Sequence, residues 1–555
     1  MKKKYVRWTL WTIASPFILF IILCILIYLP PIQNFLVDKA AVYASEATGM
    51  NISVGRISLS FPLNLVVTNV DAASPHNDTL LSVRRLQVNV QLLPLLKKQV
   101  EVDGISLQGA TVNSNDLIHG MKLNGTLGEL FISSHGVALD PETAIVNKVL
   151  LKDTDLSLCL NDTAAADTAA SDTTYWKIIL QDIDLQNVSF ALDMPLDSLS
   201  LAASLDNAIL RDGLIDLHKS AYSLQTFRIE NGRVRYDNGK PLAADSLSSG
   251  LDPSHIALTD IGVKLDSLYY GGRNMKAIIS QFVLKERSGV EIVSATGRMV
   301  SNDKVLRVPS LKLETRDSYL ELNAAMDWNA LDFKDEGLVS ARLMADIGKP
   351  DVVRFMGSMD EKFIRQYPSE PLRIRTGIDG DLNKLKLTTL TAELPGALGL
   401  FARGELTHLT DSLLRGGDIT LEAETKDLKF VSTLAEGIEI PYGTRLEGKF
   451  TMAGTKMGTD LLLMQPEAQA VVAADTIPIT VYNDSISVAD DIKMERAARL
   501  FAKYDLSRDR YEADLAVNHF DLHQFMPADS LYTLSTRLKV EGEGFDFFSP
   551  RTYFN

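Results

Sequence analysis

Cysteine is almost missing from these 555 residues: only Cys24 and Cys159 occur. Cys24 stands in an apolar run where a bridge to the rest of the chain is implausible, so the fold is not built on disulfides. Proline (20 residues) and aromatic side chains (7%) are sparse, which argues against a Pro-rich linker protein or an aromatic-lined sugar groove. Positive charge is short as well: 56 Lys+Arg against 71 Asp+Glu leave a net charge of −15. Polyanion binders need clustered positive charge to release counterions, so nucleic acid is not expected as a partner. A Gly-rich phosphate loop, a Cys/His zinc set and a nucleophile elbow are all lacking. His519 and His523 have a helical metal-pair spacing, but no acidic motif accompanies them and their flanks read as strand then turn. Gly377 with Gly380, and Gly542 with Gly544, sit in strand context and read as bulges. No catalytic residue, metal or cofactor is assigned, and the chain is read as a non-enzyme.

What is present is a balanced 46% of hydrophobic residues against 23% charged ones, with mean hydropathy +0.04. This composition fits neither a disordered tail nor a polytopic membrane protein. Residues 1–7 are basic, and Trp8 to Leu29 carry no charge. As a helix rising 1.5 Å per residue, that run crosses a hydrocarbon core of ~30 Å. A cleaved signal peptide would have a shorter apolar region and a small-x-small cleavage site, whereas this run ends Tyr28, Leu29, Pro30, Pro31. Residues 8–30 are therefore expected to be an uncleaved transmembrane helix. Lys2, Lys3, Lys4 and Arg7 precede it and the next basic residue is Lys39, which puts the N-terminus in the cytoplasm. Residues 31–50 read as an amphipathic helix stopped at Gly49, lying just outside the membrane or capping the body that follows.

From Asn51 onward apolar and polar residues alternate, as at Ile57, Leu59 and Phe61, or Leu86, Val88 and Val90. This is the period of half-buried strands, and short polar turns between the runs predict a long antiparallel sheet over 51–348 and 369–555. A finer template recurs, starting at Ile105, Val149, Ile183 and Phe227. Apolar residues occupy n and n+2 (Leu107, Leu151, Leu185, Ile229), Gly, Asp or Asn occupies n+4 (Gly109, Asp153, Asn187, Asn231), and apolar residues resume at n+7 (Val112, Leu156, Phe190, Val234). An unbroken strand would throw n+7 onto the opposite face; a bulge or tight turn at n+4 restores it. Repeats a few tens of residues apart suit an elongated array.

Residues 161–174, rich in Ala, Asp and Thr, read as a mobile excursion. Residues 349–368 read as a helical interruption through Gln366 with Val352, Phe355, Met356, Phe363 and Ile364 buried, and Phe520 to Phe525 as a further helical turn. Few helices are left to cover an apolar sheet face. The face must be covered by another layer, closed into a sandwich or β-helix, or curled into a trough that holds something apolar. Ile105, Leu107, Val149, Leu151, Ile183, Leu185, Phe227 and Ile229 are the candidate lining residues of such a trough.

The order of a basic N-terminus, one apolar span, Pro30-Pro31-Ile32-Gln33, Ala47-Thr48-Gly49, Arg56 to Leu63, Asp78 to Leu81, Val88 to Val90, Leu93 to Leu96 and Val102 to Ile105 resembles the start of the TamB proteins of the AsmA-like superfamily, in the form seen in Bacteroidetes. Gly377 to Leu382, Leu385, Leu387 and Gly404 to Leu406 resemble the strand modules of that superfamily. The resemblance implies a mainly β protein, anchored in the bacterial inner membrane by one helix, whose elongated β-taco crosses the periplasm. It implies phospholipid transport between inner and outer membranes, with acyl chains as ligands, or assembly of outer-membrane barrels with a TamA/BamA-type partner; a structural envelope role is the third alternative. TamB proteins are usually longer, so the sequence is expected to be either the N-terminal portion of such a chain or the product of a truncated gene.

Overall fold

The computed structural model describes residues 39, 41, 42, 45, 49–60, 64–74, 79–91, 102–114, 121–138, 142–161, 175–239, 250–334, 337–356, 360–434, 438–466, 494–527, 530, 532–544 and 553–555. The basic N-terminus and the span expected at 8–30 lie outside the described residues, as does most of 31–50. Within 31–50, Lys39, Ala41, Val42 and Ser45 are helical. Gly49 has φ 69° and its N–H donates to the Ser45 carbonyl at 2.9 Å, a glycine C-terminal stop as expected. Among the described residues no helix is long and apolar enough to cross a membrane.

The protein is mainly β, and the chain divides into two compact units. The first comprises residues 1–242, 253–272 and 279–287. Its strands are β1 (Asn51–Ser60), β2 (Asn64–Ala73), β3 (Thr79–Val90), β4 (Val102–Asn113), β5 (Met121–Ala138), β6 (Thr143–Leu160), β7 (Lys177–Met194), β8 (Leu199–Asp216), β9 (Ala221–Leu224), β10 (Thr226–Asp237) and β11 (His255–Gly271). From β1 to β6 each strand pairs antiparallel with the next. The pair β6–β7 is parallel, with Thr143 opposite Lys177 and Cys159 opposite Asp193, which corrects the wholly antiparallel expectation. A parallel neighbour needs a return connection of a dozen or more residues, and 161–176 supplies it. Most of the expected excursion at 161–174 falls there, outside the described residues. β9 and β10 act as one strand broken at Gln225: both pair with β8 and with β11.

The second unit comprises residues 243–252, 273–278 and 288–555. β13 (Glu291–Ser301), β14 (Val305–Thr315), β15 (Tyr319–Asp327), β16 (Leu338–Ile347), β17 (Leu372–Asp381), β18 (Lys384–Leu394), β19 (Leu398–Thr407), β20 (Gly416–Thr425), β21 (Arg445–Ala453), β22 (Lys456–Pro466), β23 (Met494–Asp505), β24 (Arg510–Asp521), β25 (Thr533–Glu543) and β26 (Tyr553–Phe554) pair antiparallel in chain order. The boundary between the units passes through β12 (Asn274–Glu286).

Among the described residues after β1, short helices stand at α1 (Trp328–Leu331), α2 (Lys349–Met356), α3 (Glu361–Gln366) and α4 (Leu522–Phe525). The expected helix at 349–366 is thus two, the second capped by the Asp360 side chain, which accepts from Lys362 N–H at 2.7 Å. The break resets the helical phase. Val352, Phe363 and Ile364 pack inward, but Phe355 and Met356 are 59% and 49% exposed, against expectation. The expected bulge at Gly377 is present as a register shift between Gly377 and Ile378.

Candidate functional site

Strand registers decide which side chains share a face, because directly opposed residues point the same way. Ile105 on β4 faces Ile132 on β5, which faces Val149 on β6, then Ile183 on β7, Leu210 on β8 and Phe227 on β10. One pair further along, Leu107 faces Leu130, then Leu151, Leu185, Ala208 and Ile229. All eight candidate residues therefore fall into two parallel apolar rows. The rows extend through Val88 and Leu86 on β3 to Leu65 and Val67 on β2, and on the other side to Leu265 and Val263 on β11. β2 carries the template too, as Leu65, Val67, Asn69 and Ala72, which the sequence reading had passed over. The residues between the rows and the n+4 position form a polar row on the opposite face: Arg85, Gln108, Glu129, Lys152, Gln186 and Asn207.

The n+4 positions have the left-handed backbone expected of them: Asn69 (φ 53°), Gly109 (59°), Asp153 (49°), Asn187 (51°) and Asn231 (53°). Asn231 lies at a register shift of β10 against β11, a bulge as expected; at the other four the mechanism differs. Leu107–Leu130 and Gln108–Glu129 on one side, and Ala110–Leu127 on the other, keep one register, so one residue of each strand is left unpaired at the same level. The same interruption crosses β1 to β8, through Gly55, Asn69, Arg84, Gly109, Gly128, Asp153, Asn187 and Asp206.

The left-handed residue turns the chain over, which a strand of period two needs to keep its apolar face. On β10, a Cβ added to Gly232 (n+5) would lie 3.1 Å from Ile229 Cγ2 (n+2), so both stand on one side of the sheet. Beyond the line a second set of apolar rows follows, with Val112 against Leu81, and Leu156 against Phe190. Val83, Thr154 and Ala208, next to the line, are only 5%, 2% and 4% exposed, whereas the side chains at Asn69, Arg84, Asp153, Asn187 and Asp206 are exposed. In a single layer this contrast marks a bend with the apolar side within it. Away from the line the apolar residues are only partly buried: Ile105, Leu81 and Phe190 remain 36%, 37% and 38% exposed.

Among the described residues both clusters of mutually packed buried apolar side chains belong to the second unit. There a comparable row runs through Leu311, Leu322, Leu343, Thr376, Leu390 and Ala402, and continues through Leu421, Leu461, Leu500 and Leu515. Phe363, Tyr367, Leu394 and Phe430 close one end of these strands, with Phe363 and Phe430 rings edge-on at 5.6 Å. Ala330, Val339 and Leu382 close the other. The opposite face carries cross-strand ion pairs. Arg499 donates two hydrogen bonds to Asp460, at 2.8 and 2.5 Å, and Arg537 two to Asp514, at 3.0 and 2.6 Å. Those bonds hold both carboxyls below the usual carboxylate range.

His519 has left-handed backbone (φ 48°), and His523 stacks on Tyr532 at 5.3 Å, so the two imidazoles have separate surroundings. Among the described residues no group of three His, Cys, Asp or Glu side chains is placed to hold a metal ion. No protein-family model and no curated protein matches this chain.

Proposed function

We propose that this protein carries acyl chains: the apolar panels on either side of the interrupted line are the walls of an elongated β-taco trough in which lipid tails replace a second protein layer. One observation supports this above the others. Nine strands align two apolar rows that, Ala208 apart, stay partly exposed, with no buried apolar cluster over them among the described residues. Each methylene moved from water to such a surface gains ~0.8 kcal/mol, so a tail of a dozen carbons is held without any specific contact. In this reading residues 8–30 anchor the chain in the inner membrane, the body lies in the periplasm, and phospholipid moves along it between membranes. The likeness to TamB sequences supports that setting.

The test is lipid content. Purified chain is expected to carry phospholipid detectable by mass spectrometry, and replacement of Leu107, Leu151, Leu185 and Ile229 by Asp is expected to remove most of it while the circular-dichroism β signal persists. Equal lipid content in both proteins would sink the proposal. A second reading, strand addition by a barrel-type partner, is favoured by β1, which among the described residues pairs with β2 alone. Protein crosslinks confined to β1, with no bound lipid, would make it the better account.

A further inference from the structure

We propose that the interrupted line of the first unit is a hinge, about which the two apolar panels swing so that their separation adjusts to what lies between them. Only the identity of the occupant rests on the trough reading; the hinge itself follows from the backbone. At this level neighbouring strands share no paired residues, so rotation there leaves the paired residues on either side in place. The register is the same on both sides of the line, so swinging requires no re-pairing. The pivots are Asn, Asp and Gly, the residues that occupy the left-handed basin at least cost and tolerate small changes within it. The side-chain links at this level, Asn187 Nδ2 to Asp153 at 2.9 Å and Asn231 to Asp206, run along the line from strand to strand on exposed side chains and do not tie one panel to the other. In the second unit the ladders β15–β16, β16–β17, β19–β20 and β20–β21 run without interruption, which confines the hinge to the first.

The experiment uses the full chain with Cys24→Ser, nitroxide labels on the native Cys159 and on Lys148→Cys, and pulsed electron–electron resonance. These two positions flank Asp153 on β6. A straight strand would separate their backbones by roughly 36 Å, at ~3.3 Å per residue. The expected distribution is centred well below that, broadens in Asp153→Gly/Asn187→Gly, and keeps its width in Asp153→Asn, which retains an acceptor for Asn187. A glycine pair with unchanged width, or a wild-type distance at the straight-strand value, overturns the hinge. With palmitate added, protein that retains the fatty acid is expected to shift its distance, and retention without a shift also overturns it. Failure to retain palmitate counts against the carrier reading, while the glycine pair still decides the hinge.

Discussion

Asp351, at the start of α2, is 1% exposed. Its carboxylate accepts from the hydroxyls of Thr315 and of Ser318 (2.6 Å) and from Arg354 Nη1 (3.0 Å), and Arg354 also reaches Asp317 at 3.0 Å. The cluster ties α2 to the β14–β15 turn with every bond satisfied. Asp351→Ala leaves Arg354 and two hydroxyls short of their partner, and is expected to cost about 3–5 kcal/mol in chemical unfolding of the second unit. A loss below ~1 kcal/mol would show the cluster to be incidental. At Gly109, a Cβ would meet Arg84 Cβ and Cζ at 3.2 Å on left-handed backbone. Gly109→Val is expected to destabilise the first unit by at least ~1–2 kcal/mol, read by hydrogen exchange of β4 amides. Residue type made the n+4 positions legible, since Gly, Asp and Asn share that backbone preference. It could not reveal that registers carry through unchanged, because that depends on the partner strand's residue at the same level, such as Gly128 against Asp153.

At the scale of elements, the template stands on strands that run in one direction: β2, β4, β6, β7 and β10. Starts at 105, 149, 183 and 227 therefore shorten their step at the one place where two such strands are adjacent, the parallel pair β6–β7. The spacing held this information, but alternation alone is blind to strand direction. Deleting eight residues from the 161–176 connection is expected to destroy the β6–β7 pairing, because about a dozen residues are the minimum for a parallel return. Eight added Gly/Ser residues, which lengthen the connection about 1.5-fold, are expected to cost only ~0.4 kcal/mol in chemical unfolding of the first unit; the opposite ranking would contradict the topology. The ion pairs of β22–β25 set an acid limit. Asp460 and Asp514 have depressed carboxyl pKa values in the fold, so their contribution is complete above the unfolded value of ~3.9 and is lost as pH falls through the lower folded value. Urea midpoints of the second unit should show no loss from this source between pH 7 and 5 and a decline only below about 4. A decline attributable to these pairs, abolished in Asp460→Asn/Asp514→Asn, between pH 7 and 5 would refute the assignment.

At the scale of the whole molecule, apolar content among the described residues is spread along alternate positions of many strands: the two buried clusters hold side chains at strand ends, while most members of the long rows stay partly open. The alternation in the sequence was enough to place eight residues on one face, since period two fixes a face once register is known. The rows of the second unit were harder to see, because small residues such as Ala345, Ala402 and Gly448 interrupt the hydrophobic signal without leaving the face. On the proposed reading, one face of the first unit binds acyl chains and the other does not. Photo-crosslinking amino acids placed singly at Leu107 and Leu185, and at their outward neighbours Gln108 and Gln186, test it most directly in cells fed a labelled fatty acid. Label is expected on the protein at Leu107 and Leu185, with background at Gln108 and Gln186; equal labelling on both faces, or none at the apolar positions, would rule out acyl-chain binding by this face.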